Sequence, residues 1–96
     1  MDINFFKKTR ILDGGMGQEL LARGMKPNGT LWSANALLQD KYHQLLLDTH
    51  VDFIEAGAEV IVTTTFTTRK TRLRDNDVED KFEYLNNKAG EIAQKV

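Results

Sequence analysis

The sequence predicts an α/β protein, the opening β-α-β-α portion of a (β/α)8 TIM barrel, incomplete as given. Three observations carry that expectation. Two short runs rich in aliphatic and β-branched residues, 9–13 and 59–65, alternate with two long patterns of helical period. The Val60-Ile61-Val62 run does not alternate, as in a parallel strand covered on both faces. The crossovers between the runs are long, which calls for parallel pairing and right-handed connections. Two parallel strands cannot cover their own faces or edges, so the chain reads as a fragment of a body of roughly 250 residues.

The elements are expected in the following order. Residues 1–8 carry no clear period and form a lead-in, with Phe5 and Phe6 plugging the bottom of a larger body. Residues 9–13 make the first strand, stopped by glycine. Residues 18–23 make a short helix closed by Gly24, where positive φ is expected. Residues 25–30 hold the only proline and an Asn28-Gly29 turn signal, hence a loop. Residues 35–56 form the first long helix, with Tyr42, Leu45, Leu46, Thr49, Phe53 and Ile54 on one face and Gly57 at its C-terminal cap. Residues 59–65 are the second strand and 69–76 a polar connection. Asp77 is placed as an N-cap, and Val78, Phe82, Leu85, Ala89, Ile92 and Val96 line one face of the last helix.

Composition narrows the function classes. The chain has 96 residues, 41% of them apolar, with a formal net charge of −1, so it carries no general push toward nucleic acid. Arg69, Lys70, Arg72 and Arg74 make a local basic cluster, which reads as a solvated face. No apolar run is long enough to span a membrane, and the N-terminus lacks the layout of a secretory signal. There is no cysteine, hence neither a disulfide framework nor a thiolate metal site. A cytoplasmic address is the default.

The chemistry concentrates in Ile11-Leu12-Asp13-Gly14-Gly15-Met16-Gly17-Gln18-Glu19-Leu20, where a strand delivers one carboxylate into a glycine turn and a helix begins at once. Asp13 is the leading candidate: a carboxylate that holds an ammonium group, or else one that caps the turn. Gly14, Gly15 and Gly17 bare their backbone near a helix start, where anions are favoured. The spacing is neither Gly-x-Gly-x-x-Gly nor a phosphate loop. Alternation sets Thr63 and Thr65 on one face and Thr64 and Phe66 on the other, and an inward Thr65 would meet a ligand carboxylate. Glu19 either supports Asp13 or is solvated. His43 and His50, seven apart on one helix, do not have metal-ligand spacing and read as ordinary packed or surface histidines. Trp32 reads as a packing anchor.

The decamer, together with Leu31-Trp32-Ser33-Ala34 and the stretch from Glu55 to Phe66, resembles the N-terminal part of the homocysteine S-methyltransferase family, over about residues 10–73. The resemblance implies a zinc-dependent barrel enzyme of methionine biosynthesis. Such an enzyme moves a methyl group from S-methylmethionine, S-adenosylmethionine, betaine or a folate to the sulfur of homocysteine. It implies that Asp13 binds the homocysteine amino group, that the Gly14 backbone binds its carboxylate, and that Thr65 stands beside that carboxylate. Gln18, Thr64 and Thr67 depart from the common family pattern, and the family's three zinc cysteines are absent. These residues alone are therefore expected to be inactive and to need the rest of a barrel or an oligomeric partner. A non-catalytic chain acting through association, and a barrel enzyme binding a phosphorylated ligand, are the competing readings.

Overall fold

The computed structural model describes residues 3–96, with the side chains of Ile3 and Phe6 outside the description. The expected place of Phe6 in a plug therefore lies outside the described residues. Among the described residues five α-helices follow one another: α1 (Met16–Ala22), α2 (Asn35–Leu38), α3 (His43–Glu55), α4 (Lys70–Asp75) and α5 (Phe82–Gln94). Short 3-10 turns at Ile3–Lys7, Trp32–Ala34, Asp40–Tyr42 and Glu79–Lys81 precede or join them.

The expected β-α-β-α barrel portion does not form. Among the described residues there is no strand and no sheet, only one isolated parallel bridge between Leu12 and Val60. Its hydrogen bonds show why it stays isolated. The Ile11 carbonyl accepts from Glu59 N (2.8 Å) and Val60 N (3.2 Å), and Asp13 N donates to Val60 O (3.0 Å). The next rung of a parallel ladder would run from Val62 N to the Asp13 carbonyl. Instead Val62 N donates to the Asp13 side chain, Oδ2, at 3.1 Å. The carboxylate thus takes the amide that would have extended the pairing, and Gly14 then carries the chain away. Arg10 and Glu59 brace the other end through a 2.8 Å ion pair.

The long helix expected over 35–56 is broken at Gln39, whose backbone is extended (φ −104°, ψ 117°). Leu37 would lose its helical acceptor role there, but its carbonyl takes a 2.7 Å contact with His43 Nε2, while Gln39 Nε2 donates back to Asn35 Oδ1. Asp40 opens the new turn, a position that favours acidic residues. The polar connection expected over 69–76 is instead helix α4. Its Lys, Arg and Leu are good helix formers, and Leu73 alone supplies its buried anchor. The last helix starts later than expected, and Asp77 precedes it at φ +60° rather than capping it.

Three helices end in the same way. After α1, Gly24 N donates to Leu21 O and Met25 N to Leu20 O; after α3, Gly57 N donates to Ile54 O and Ala58 N to Phe53 O. After α4, Asp77 N donates to Arg74 O and Val78 N to Leu73 O. Each pair is the crossed hydrogen bonding of a Schellman motif, with the residue at positive φ in the expected place. Gly24 and Gly57 behave as the sequence predicts.

The core joins the helices. Leu20 and Met25 from α1 and its cap meet Leu37, Leu46, Leu73, Leu85 and Ile92, all buried. Each such side chain taken out of water contributes about 1.5–3 kcal/mol before entropy is charged. α3 packs on both α1 and α5, and Arg23 ties α1 to α3 through Asp52 at 2.8 Å. Of the expected apolar stripes, Leu46 and Thr49 are buried on α3 but Ile54 is exposed, and Leu85, Ala89 and Ile92 are buried on α5.

Candidate functional site

Where α1 starts, the bridged segments and the Trp32–Ala34 turn enclose an open cleft of about 340 Å³. Asp13 lines it because the bridge fixes the backbone at Asp13 N and at the Ile11 carbonyl, and Val62 N donates to one carboxylate oxygen. Gly14 and Gly15 are exposed along the same wall, so backbone rather than side chain lines it. Gly17 is buried under the Trp32 indole, and a methyl group there would overlap the ring. Glycine at this position is what lets Trp32 close the cleft.

The opposite wall is held by threonines. Ala34 N donates to the buried Thr67 Oγ1 at 3.1 Å, which pins the Trp32–Ala34 turn against the threonine-rich segment. Thr68 Oγ1 bonds Asn86 Oδ1 on α5 at 2.8 Å. Thr64 is buried, lines the cleft, and lies 3.5 Å from His50 Nε2. Thr67 and Thr64 thus carry buried polar contacts. Trp32 and Phe66 add aromatic surface that also borders a neighbouring cleft of about 410 Å³ beside Thr30 and Arg72.

The sequence-predicted site residues are placed unevenly. Asp13 and Gly14 meet in the cleft. Thr65 is half-buried beside it, outside the lining, with its hydroxyl 3.2 Å from Thr63 Oγ1. Glu19 pairs with Arg23 at 2.9 Å on the outer side of α1. The basic cluster is dispersed: Arg69 lies over Phe66, Lys70 over Phe82, Arg72 bonds the Thr30 carbonyl, and Arg74 pairs with Glu79. Trp32, 40% exposed, packs its indole over Gly17 and forms a wall of the cleft.

His50, expected as a partly buried or surface histidine, is fully buried. It lies one helical turn past Leu46 on the buried face of α3, entirely out of solvent. Burial lowers its affinity for a proton below the usual imidazole range, against the opposing pull of the Asp13 charge.

The donor set does not fit zinc. The chain has no cysteine, and among the described residues no three or more His, Cys, Asp or Glu side chains converge. No chemistry of these residues is assigned to that metal. No helix among the described residues is long and apolar enough to cross a membrane.

Fold and cleft together define a helical chain in which one carboxylate and bare backbone line an open cleft. Comparison with known proteins is more specific. The profile of the homocysteine S-methyltransferase family matches residues 10–96, and the chain belongs to this family of methyltransferases. Homocysteine S-methyltransferase 2 of Saccharomyces cerevisiae is 32% identical over 78 residues, covering 73% of this chain and 24% of the relative. Homocysteine S-methyltransferase 3 of Zea mays is 43% identical over 56 residues, 58% of this chain and 16% of the relative. Selenocysteine methyltransferase of Astragalus bisulcatus is 36% identical over 59 residues, 62% of this chain and 17% of the relative. The chain therefore spans a quarter or less of the length of these relatives. No solved structure matches it.

Proposed function

We propose that this chain supplies the part of a homocysteine S-methyltransferase that grips the amino-acid end of the thiol substrate. The observation that carries the reading is the Asp13 carboxylate, which lines the cleft and accepts a hydrogen bond from Val62 N on one oxygen. A fixed carboxylate binds an ammonium by charge-assisted hydrogen bonding without a further ordering cost. The exposed backbone at Gly14 serves the substrate carboxylate, and Thr65 stands beside that end. The cleft reads the amino-acid end and is indifferent to whether sulfur or selenium follows, which suits relatives named for homocysteine and for selenocysteine. Any zinc bound by thiolates takes its ligands from outside these 96 residues, so the chain alone binds substrate and does not transfer the methyl group.

The test is calorimetric binding of L-homocysteine and of 4-mercaptobutanoate, the same thiol without the amino group. Asp13→Asn is expected to weaken homocysteine at least tenfold, the scale of one hydrogen bond to a charged group, and to leave 4-mercaptobutanoate unchanged. In the complete enzyme the same substitution raises the homocysteine KM and spares zinc content. Equal affinity of wild type and variant for homocysteine rejects the assignment. A second reading, a non-catalytic chain acting through association, is favoured by the exposed apolar side chains of Leu12, Val62 and Phe66. It predicts no homocysteine binding at all.

A further inference from the structure

We propose that Thr64 is a further ligand-binding residue of the cleft and His50 its positioning residue. In this arrangement His50 Nε2–H donates to Thr64 Oγ1, leaving the Thr64 O–H to donate to the carboxylate of an α-amino acid. The inference deepens the amino-acid reading above and rests on it.

The argument begins with an unmatched atom. His50 is 0% exposed, and its Nδ1 is buried with no hydrogen-bond partner. A neutral imidazole has one N–H and one lone pair, and either nitrogen can carry the proton. A buried N–H without an acceptor is rarer than an unmet acceptor, so the partnerless Nδ1 is the bare lone pair and the proton sits on Nε2. That nitrogen faces Thr64 Oγ1 at 3.5 Å. A hydroxyl that accepts from the ring keeps its own hydrogen for another acceptor. Thr64 lines the cleft that Asp13 also lines, so the acceptor is a ligand oxygen lodged there. The ammonium of an amino acid at Asp13 sets its carboxylate one carbon away, within the same small volume.

Burial keeps the imidazole neutral, which the arrangement requires, while the nearby Asp13 charge works against this. The 3.5 Å separation is longer than a good N–H···O bond, and such contacts shorten when an anionic oxygen draws on the hydroxyl. An imidazole acting only as filler would be replaced without loss by an apolar side chain. One that orients a hydroxyl would not.

The experiment has two arms, both on the full chain. In the first, calorimetry compares L-homocysteine with 3-aminopropane-1-thiol, which lacks only the carboxylate. Thr64→Val and His50→Leu are each expected to weaken homocysteine about tenfold or more and to leave the aminothiol unchanged. Thr64→Ser keeps the hydroxyl and His50→Gln keeps a donor near Nε2, so both retain near-wild-type affinity. Loss of affinity for both ligands alike, or for neither, overturns the inference. In the second arm, nitrogen-15 spectra of the His50 ring at neutral pH are expected to show Nε2 protonated and Nδ1 bare; the opposite tautomer overturns it. The parent reading fails separately: Asp13→Asn without effect, beside a Thr64→Val variant that still loses homocysteine, removes the amino-group role alone.

Discussion

Burying an imidazole beside a carboxylate sets a pH limit on this fold at the scale of one residue. His50 has its proton affinity lowered in the folded chain, chiefly by desolvation. The unfolded chain therefore binds more protons than the folded one once the pH drops below the free imidazole value near 6.5. Stability from this group is complete above that value and is lost as pH falls through the lowered folded value, with a slope of at most about 1.4 kcal/mol per pH unit. Glu79 and Glu91 have depressed affinities through Arg74 and Lys88, so their contribution disappears only lower, in the carboxylate range. Denaturant titrations from pH 7 down to 5 are expected to show a decline in wild type that His50→Gln removes. A decline of equal size in both proteins would mean that His50 does not titrate on unfolding. Of the site residues, Asp13 and Gly14 were legible because a carboxylate before a glycine turn is a local pattern. Thr64 and His50 were not, since their pairing depends on how α3 lies under a segment fourteen residues further on.

Helix ends are where this sequence speaks most clearly at the scale of elements. Gly24 and Gly57 announce their Schellman turns, but the third such turn, after α4, is built on Asp77 at φ +60°. A left-handed residue with a Cβ is strained by about 1–2 kcal/mol, less for aspartate, which reaches this region more readily than most. Asp77→Gly is expected to stabilise the chain by up to about 1 kcal/mol, whereas Gly57→Ala should cost about as much. For a chain this size that is a melting shift of about 4–8 °C in opposite directions, readable by calorimetry. If Asp77→Gly lowers the melting temperature, the aspartate side chain matters more than the backbone strain. The apolar periods of α3 and α5 were equally legible, because helical spacing survives any change of partner. The strands were not. Val60-Ile61-Val62 has strand composition, but pairing is decided by hydrogen bonds to another segment, and the Asp13 side chain takes the amide that the ladder needed.

Apolar surface left open on the bridged segments dominates at the scale of the whole molecule. The radius of gyration is 13.8 Å with extents of 41 × 27 × 19 Å, against about 12.5 Å expected of a compact domain of this length. Leu12 is 58% exposed, Val62 55% and Phe66 71%, and all three border one cleft. Single exposed apolar side chains are ordinary, but several gathered on one face beside an unpaired backbone edge favour association. Sedimentation of the isolated chain over a hundredfold range of concentration is expected to show a rising mass, and unfolding that depends on concentration. Ile11→Lys puts a charge on that edge without touching the cleft lining, and should shift the association to higher concentration while leaving homocysteine affinity unchanged. A monomer with a sharp, concentration-independent melt would contradict the prediction. It would mean that the core of α1, α3 and α5 is sufficient by itself, and that the open apolar face exists for the ligand rather than for another chain.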